Sequence, residues 1–337
     1  MDEVFNVTYI TLGGYVEGEK YRYVSFVIIF ILYILIICCN STILYLIVIH
    51  QNLHEPMYVF IAALLINSVL FSTNIYPKLL VDFLSEQQVI AYPACIFQAV
   101  IYYILTYSEF LLLSAMAYDR YVSICNPLQY TTIMRSTTVK AFLVLAWSVP
   151  ACEVTGAVAL NYNMKLCSFT LKGIFCNNSV FKLQCVRTEA LSIYGVIMLL
   201  TLGLLPVLFI LFTYTRIFMV SYRSCREVRK KAAQTCLPHL IVLLNFSCFV
   251  SYDVSIVRLE SDIPKTARLI MTLQVVLYHP LFNPIMYGLK MREIYKHLKR
   301  LFCRRLTPPQ GSDGPQSSDG PLTDLGALTD LRALTDL

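Results

Sequence analysis

Charge is what this sequence has least of. Asp, Glu, Lys and Arg make up 14% of its 337 residues, against about 25% in soluble domains. Hydrophobic residues reach 57%, against about 45–50% in the same reference set. So few charges cannot cover a water-facing surface. A soluble globular chain is excluded, and lipid takes the place of water. Catalytic constellations are missing too. The histidines at His50, His54, His239, His279 and His297 are scattered. No metal cluster, nucleophile with its base, or phosphate loop stands out, so no enzyme, resident metal or cofactor is expected. The N-terminus lacks the basic segment of a signal peptide, because Asp2 and Glu3 stand there. The first apolar run is therefore expected to act as its own insertion signal. Inverted repeats and paired broken helices are not evident, which argues against a transporter or channel.

What the chain has is long apolar runs. They lie at 24–49, 57–83, 95–118, 140–160, 190–219, 236–257 and 268–289. Each is close to the about 20 residues that cross a bilayer as a helix. Little β-alternation interrupts them, so helices rather than a barrel satisfy the backbone in lipid. The expected fold is an all-α membrane protein. An outer tail covers 1–23, a seven-helix bundle 24–289, an amphipathic helix 290–306 and a low-complexity tail 307–337.

Basic residues concentrate in "RIFMVSYRSCREVRKK" (216–231) and "KMREIYKHLKRLFCRR" (290–305). The other side mixes Glu3, Glu17, Glu19, Glu260 and Asp262 with Lys20, Arg22, Arg258 and Lys265. This asymmetry puts the N-terminus outside and the C-terminus in the cytoplasm. It also accounts for the net charge of +6 without nucleic acid as a partner. In the second basic segment Ile294, Leu298, Leu301 and Phe302 recur at helical spacing. Such a helix suits the inner leaflet, and Cys303 there is either palmitoylated or a free thiol. From Thr307 the composition changes, and Leu-Thr-Asp-Leu recurs in the last residues. Disorder is expected, with no role assigned.

Cysteines and sequons test this topology. Cys38, Cys39, Cys152 and Cys248 fall inside the runs, where buried thiols are expected. Cys125, Cys225, Cys236 and Cys303 fall on the cytoplasmic side. Cys95, Cys167, Cys176 and Cys185 fall outside, an even set in an oxidising compartment. The spacing leaves all three pairings open. Asn6-Val7-Thr8 is an outside glycosylation sequon, and Asn177-Asn178-Ser179 is outside but hemmed in by cysteines. Those at Asn40 and Asn245 lie at membrane depth and are rejected.

The third run carries a polar seam. Tyr102, Thr106, Glu109, Leu113, Met116 and Arg120 follow each other at steps of four and three, which keeps them on one helix face. At 1.5 Å per residue the seam is about 27 Å long. A carboxyl at mid-membrane costs several kcal/mol against lipid, so the seam faces the bundle. Glu109 reads either as a packed, hydrogen-bonded group or as a polar core site. Asp119 and Arg120 close the run on the basic side. Neighbours on a helix point about 100° apart, so no simple face-to-face pair is expected. Asp119 is expected to restrain Arg120 until a rearrangement frees the guanidinium for a partner.

"MAYDRYVSICNPLQY" (116–130) resembles the third-helix signature of olfactory receptors within the rhodopsin-like G-protein-coupled receptors. "LHEPMYVFIAALL" (53–65) is similar to that family's entry into helix two, and "SEFLLLSAMAYDRY" (108–121) contains its acidic residue at Glu109. "KKAAQTCLPHL" (230–240) resembles its start of helix six, and "PLFNPIMYGLK" (280–290) its seventh-helix ending. Asn67-Ser68 after Ile66 and Asn245-Phe246-Ser247 resemble the style of fish odorant receptors.

The resemblance implies bonds from Cys95 to Cys176 and from Cys167 to Cys185. It implies a ligand pocket of Tyr102, Tyr103, Thr106, Tyr107, Val250, Ser251, Val254, Ser255, Leu273 and Val276. Asp253 and Arg258 stand where a zwitterion such as an amino acid would meet them, or are simply loop-end charges. Asp119, Arg120, Tyr121, Asn283, Pro284 and Tyr287 would form the switch toward a heterotrimeric G protein. That protein would be of the stimulatory olfactory type, raising cyclic AMP at the plasma membrane. A rhodopsin-like receptor for an endogenous metabolite or peptide is the alternative. The sequence departs from the family in two places. Where many relatives carry an acid in helix two, this sequence has Asn67-Ser68 and no carboxylate, which argues against sodium at Glu109, although Asn67, Ser68 and Ser108 offer oxygens. Phe246 is followed by Ser247 where many relatives have Tyr, so their rotamer switch does not carry over. Epitope tags at the two ends are expected to be accessible on opposite faces of the cell membrane. Finding both on one face in unpermeabilised cells would undo the topology.

Overall fold

The computed structural model describes residues 8–15, 22–160, 165–185, 189–222, 226, 236–237, 239–248, 250–252 and 264–306. Its long helices are α1 (Arg22–Ile49), α2 (Pro56–Leu84), α3 (Tyr92–Cys125), α4 (Ser136–Ala159) and α5 (Glu189–Tyr222). They are followed by α6 (His239–Tyr252), α7 (Lys265–Lys290) and α8 (Arg292–Leu306). Five of these, α1 to α5, are long and apolar enough to cross a bilayer, and α7 is a sixth if its bent halves count as one span. The sixth expected run, 236–257, continues past Tyr252 into residues outside those described. So do Asn6, Cys225 and the tail from Thr307.

Proline marks the helix starts and bends. Pro56 and Pro93 stand in the first turns of α2 and α3, where a missing N–H costs nothing. Within α5, residues Leu199–Leu204 wind as a π-helix just before Pro206. Inside α7, Pro280 and Pro284 remove two ladder donors. The helix bends by 41° between Lys265–Tyr278 and Pro280–Lys290. Asn40 of α1 donates to the Pro280 carbonyl at 2.9 Å and to Ile36 O at 2.8 Å. Its side chain thus pins α1 to the bend.

The burial pattern is inverted relative to a soluble protein. Val27, Ile31, Leu208 and Phe212 are exposed, whereas Asn40, Asn67, Ser68, Glu109, Asp119 and Asn283 are buried. Lipid solvates the first set and the bundle satisfies the second. The cysteines correct one expectation. Cys38, Cys152 and Cys248 are exposed on their helices and Cys39 is half-buried. A thiol is small and apolar enough to face lipid, so depth along a span does not decide burial.

A small sheet caps the end of the bundle where α3 begins, and alternation alone did not announce it. Strand β1 (Tyr9–Leu12) lies between β2 (Val89–Ala91) and β3 (Thr170–Leu171). It pairs antiparallel with β2 and parallel with β3. Ile10 and Leu12 turn inward onto Cys95, Leu171, Cys176 and Val180. Disulfides join Cys95 to Cys176 and Cys167 to Cys185. The first closes a sequence separation of 81 residues, and such a link stabilises a fold by about 2–4 kcal/mol. Tyr15 donates to Asp82 and to the Ile174 carbonyl, each at 3.2 Å, and Lys78 pairs with Asp82. Burial first, then the Asp82 carboxylate, push the Tyr15 phenol far above its usual range, so it remains a donor.

Residues up to Arg300 form one compact unit, and a second begins at Leu301. In α8, Ile294 is buried and Leu298 half-buried, while Lys296, Lys299 and Arg300 are exposed. Lys296 pairs with Glu293 at 2.7 Å.

Two substitutions test the cap. A Cβ on Gly14 would lie 2.5 Å from the Gly173 carbonyl carbon, a backbone clash that cannot relax by rotamer change. Gly14→Val is expected to cut surface delivery several-fold, and Cys95→Ser to abolish it. Surface staining against total protein measures both, and unaffected delivery would contradict the cap's role.

Candidate functional site

Helix α3 carries three layers of functional interest, one above another. The outer layer is a cavity of about 430 Å³ between α3, α4 and α5. Tyr103 and Tyr107 of α3 form one wall, with Val154 of α4 and Met198 of α5 opposite. The segment Asn178–Leu183 roofs it, held by the Cys95–Cys176 bond and by Asn178 N–H, which donates to the Tyr103 hydroxyl at 3.1 Å. The volume lies within the about 300–1,000 Å³ typical of small-molecule sites. Gln98 fixes the same loop. Its Oε1 accepts from Cys176 N–H at 2.9 Å, and its Nε2 donates to Asn74 O of α2 at 3.0 Å.

The expected pocket residues divide around α3. Adjacent residues on a helix differ by about 100° in direction, whereas i and i+4 share a face. Tyr103 and Tyr107 therefore face the cavity together. Tyr102 does not line the cavity: its ring meets Tyr103 edge-on at 5.0 Å and packs 5.3 Å from Phe71 and 5.2 Å from Phe175. Leu273 and Val276 join that second cluster. Thr106 is buried and donates to Tyr102 O at 2.7 Å. Val250 packs half-buried against the main core, and Ser251 is exposed. The structure does not bring these residues into the cavity. Val254 and Ser255, like Asp253 and Arg258, lie outside the described residues.

The middle layer is centred on Glu109. Asn67 of α2 donates to one carboxylate oxygen at 2.9 Å, and Asn283 of α7 donates to the other at 2.7 Å. Asn283 also donates to Ser68 at 3.1 Å. Asn67 donates in addition to Leu105 O at 3.0 Å and accepts from Trp147 of α4 at 3.3 Å. A hydrogen bond contributes about 0.5–1.5 kcal/mol net, and leaving a buried polar group without one costs more. Amide donors thus stand against both oxygens. Among the described residues no group of three His, Cys, Asp or Glu converges on a metal position.

The inner layer is Asp119, Arg120 and Tyr130. Arg120 donates to a single Asp119 oxygen through Nε at 3.0 Å and Nη2 at 2.6 Å. The long arginine stem folds back, so the neighbours pair despite their diverging Cα–Cβ directions. The other Asp119 oxygen accepts from Tyr130 at 2.8 Å. Burial and the adjacent carboxylate push the Tyr130 phenol above its usual range. Tyr121 packs half-buried against the core. Above this layer, Phe110 meets Phe246 of α6 at 4.8 Å. Beside it, His239 of α6 meets the buried Tyr287 of α7 at 5.6 Å. Pro284 is buried in α7.

Sequence reasoning did not single out Trp147, Tyr130, Gln98 or Asn40 for these contacts. Their shared signal is a polar group in or beside an apolar run that needs a partner from another helix.

The chain is similar to known proteins in both sequence and fold. A protein-family model described as olfactory receptor matches residues 29–305. The human olfactory receptor 10J4 is 31% identical over 303 residues, covering 89% of this chain and 96% of that one. The human olfactory receptor 2AT4 is 30% identical over 272 residues, covering 80% and 84%. The crystal structure of squid rhodopsin superposes with a TM-score of 0.66 at 18% identity, covering 88% of this chain and 89% of that one. That likeness establishes the seven-helix transmembrane fold. The kinship makes the chain a multi-pass membrane protein and a receptor, not an enzyme. Matched nearly end to end by such relatives, it belongs to the olfactory receptor family.

Proposed function

We propose that this chain is an odorant receptor that binds a small molecule in the cavity between α3, α4 and α5. Its N-terminus faces outward, and its inner face engages a heterotrimeric G protein of the stimulatory olfactory type, raising cyclic AMP. One observation supports this most. A single helix carries the wall of the outer cavity, the bundle's central carboxylate and the paired arginine. From Tyr103 to Arg120 is about 26 Å along the axis, so a shift of α3 at the top is felt at the bottom.

The coupling is a population shift. A ligand favours the open bundle only by binding it better than the closed one. In the closed form Arg120 is held by Asp119, and Asp119 by Tyr130. Opening separates the inner ends of α3, α5 and α6 and releases the guanidinium toward the G protein. Asn283, Pro284 and Tyr287 repack with it, because α7 is bent and lacks two ladder bonds there.

A cyclic AMP screen with amino acids, bile acids, nucleotides and volatile organics identifies an agonist. With that agonist, Arg120→Ala is expected to abolish the response at near-normal surface expression, and normal signalling from it would overturn the proposed role. Tyr130→Phe removes one partner of Asp119 and is expected to raise ligand-independent cyclic AMP several-fold. An unchanged baseline would show that Tyr130 does not hold the closed form.

A further inference from the structure

A second, smaller hollow lies near the start of α7, where the Lys165–Cys185 loop meets that helix. Its volume is about 40 Å³. One enclosed water needs roughly 10–15 Å³, so the space suits an ion and is too small for an odorant. Arg268, Thr272 and Val275 line it from α7. Their steps of four and three place them on one helix face. Lys172, Gly173 and Ser179 line it from the loop. Ile174 and Phe175 seat the loop in the cluster that holds Leu273 and Val276 of α7.

The charge of this lining is one-sided. Arg268 and Lys172 are both cations, and among the described residues no Asp or Glu lines the hollow. The Arg268 Nε is buried without a hydrogen-bond partner. Neither cation enters an ion pair among the described residues. Other cations near this end of the bundle are matched. Lys78 pairs with Asp82, and Arg22 donates to the Phe83 and Leu84 carbonyls. Asp253, Glu260 and Asp262 lie outside the described residues.

We infer that Arg268 and Lys172 form a site for a small monovalent anion of chloride's size, which joins the loop to α7. A buried polar group without a partner carries a desolvation cost, larger when it is charged. Two like charges at one hollow also repel each other. Water answers the first cost and leaves the second, whereas an anion answers both. The hydroxyls of Ser179 and Thr272 add neutral donors to the two cations. Neither Lys172 nor Arg268 lines the cavity between α3, α4 and α5, so the site is independent of the odorant reading. The loop is already tied to α3 by the Cys95–Cys176 bond. The anion adds a reversible tie to α7.

The full receptor in lipid nanodiscs is melted in sodium chloride and in sodium gluconate at one pH and ionic strength. Gluconate is too large for the hollow. Chloride is expected to raise the melting temperature and to saturate, as a ligand of the folded state does, and bromide to act alike. Line broadening of the chloride-35 resonance reads binding directly. Arg268→Gln and Lys172→Gln are each expected to weaken chloride binding by about tenfold or more, and Arg268→Lys to retain much of it. Lys172 is exposed, so its glutamine variant guards against a merely structural loss at Arg268. The inference fails if the parent melts alike in both salts, or if both glutamine variants keep the parent's chloride response and line broadening. A hollow filled by water or by a protein carboxylate gives the first of these results.

Discussion

A carboxyl group in the middle of a lipid bilayer has to find its partners inside the protein. Glu109 meets that demand by drawing Asn67 from α2 and Asn283 from α7 onto its two oxygens. The amides bring further partners, Ser68 and Trp147, so α2, α4 and α7 converge on the acid of α3. Hydrophobic packing gives little direction here, because lipid tails are as apolar as the helix faces they touch. Polar contacts and close fit therefore set how the helices turn relative to each other. Along the same helix, Tyr103 lines the cavity beside α4 and α5, and Arg120 lies toward its other end.

The two ends of α3 are held in different ways. At the outer end the restraint is covalent and β-sheet-like. A disulfide, a three-stranded sheet and the Gln98 contacts bind loop, N-terminal strand and helix together. At the inner end the restraint is an ion pair and one phenol. The first includes a covalent bond and the second does not. Family kinship makes the chain a receptor of the olfactory type, and the graded restraint is compatible with such work.

Much of the architecture was legible from composition and periodicity. Apolar runs mark lipid-spanning helices because each must satisfy its own backbone, a local property. The seam from Tyr102 to Arg120 was legible for the same reason, since a step of three or four residues defines a helix face. Less was legible where the answer depends on a partner distant in sequence. Asp119 was expected to restrain Arg120, and it does, but its second partner, Tyr130, was not foreseen. Cys38 and Cys152 were read as buried from their depth, yet burial depends on which way a helix is turned. The strand at Tyr9–Leu12 is too short to stand out by alternation and exists because Val89–Ala91 and Thr170–Leu171 supply its ladder.

By itself, then, the sequence determined the solvent, the spans and the order of the signature motifs, and through those motifs the family resemblance. These follow from hydropathy and spacing, which are written residue by residue along the chain. Only the tertiary structure decided which tyrosine of α3 faces a cavity and which packs, which amides reach Glu109, and that Lys172 and Arg268 line one hollow. Each of those depends on the rotation of one helix against another and on a loop folded back across the bundle. Contacts between residues far apart in the chain set that rotation, and no local pattern records it.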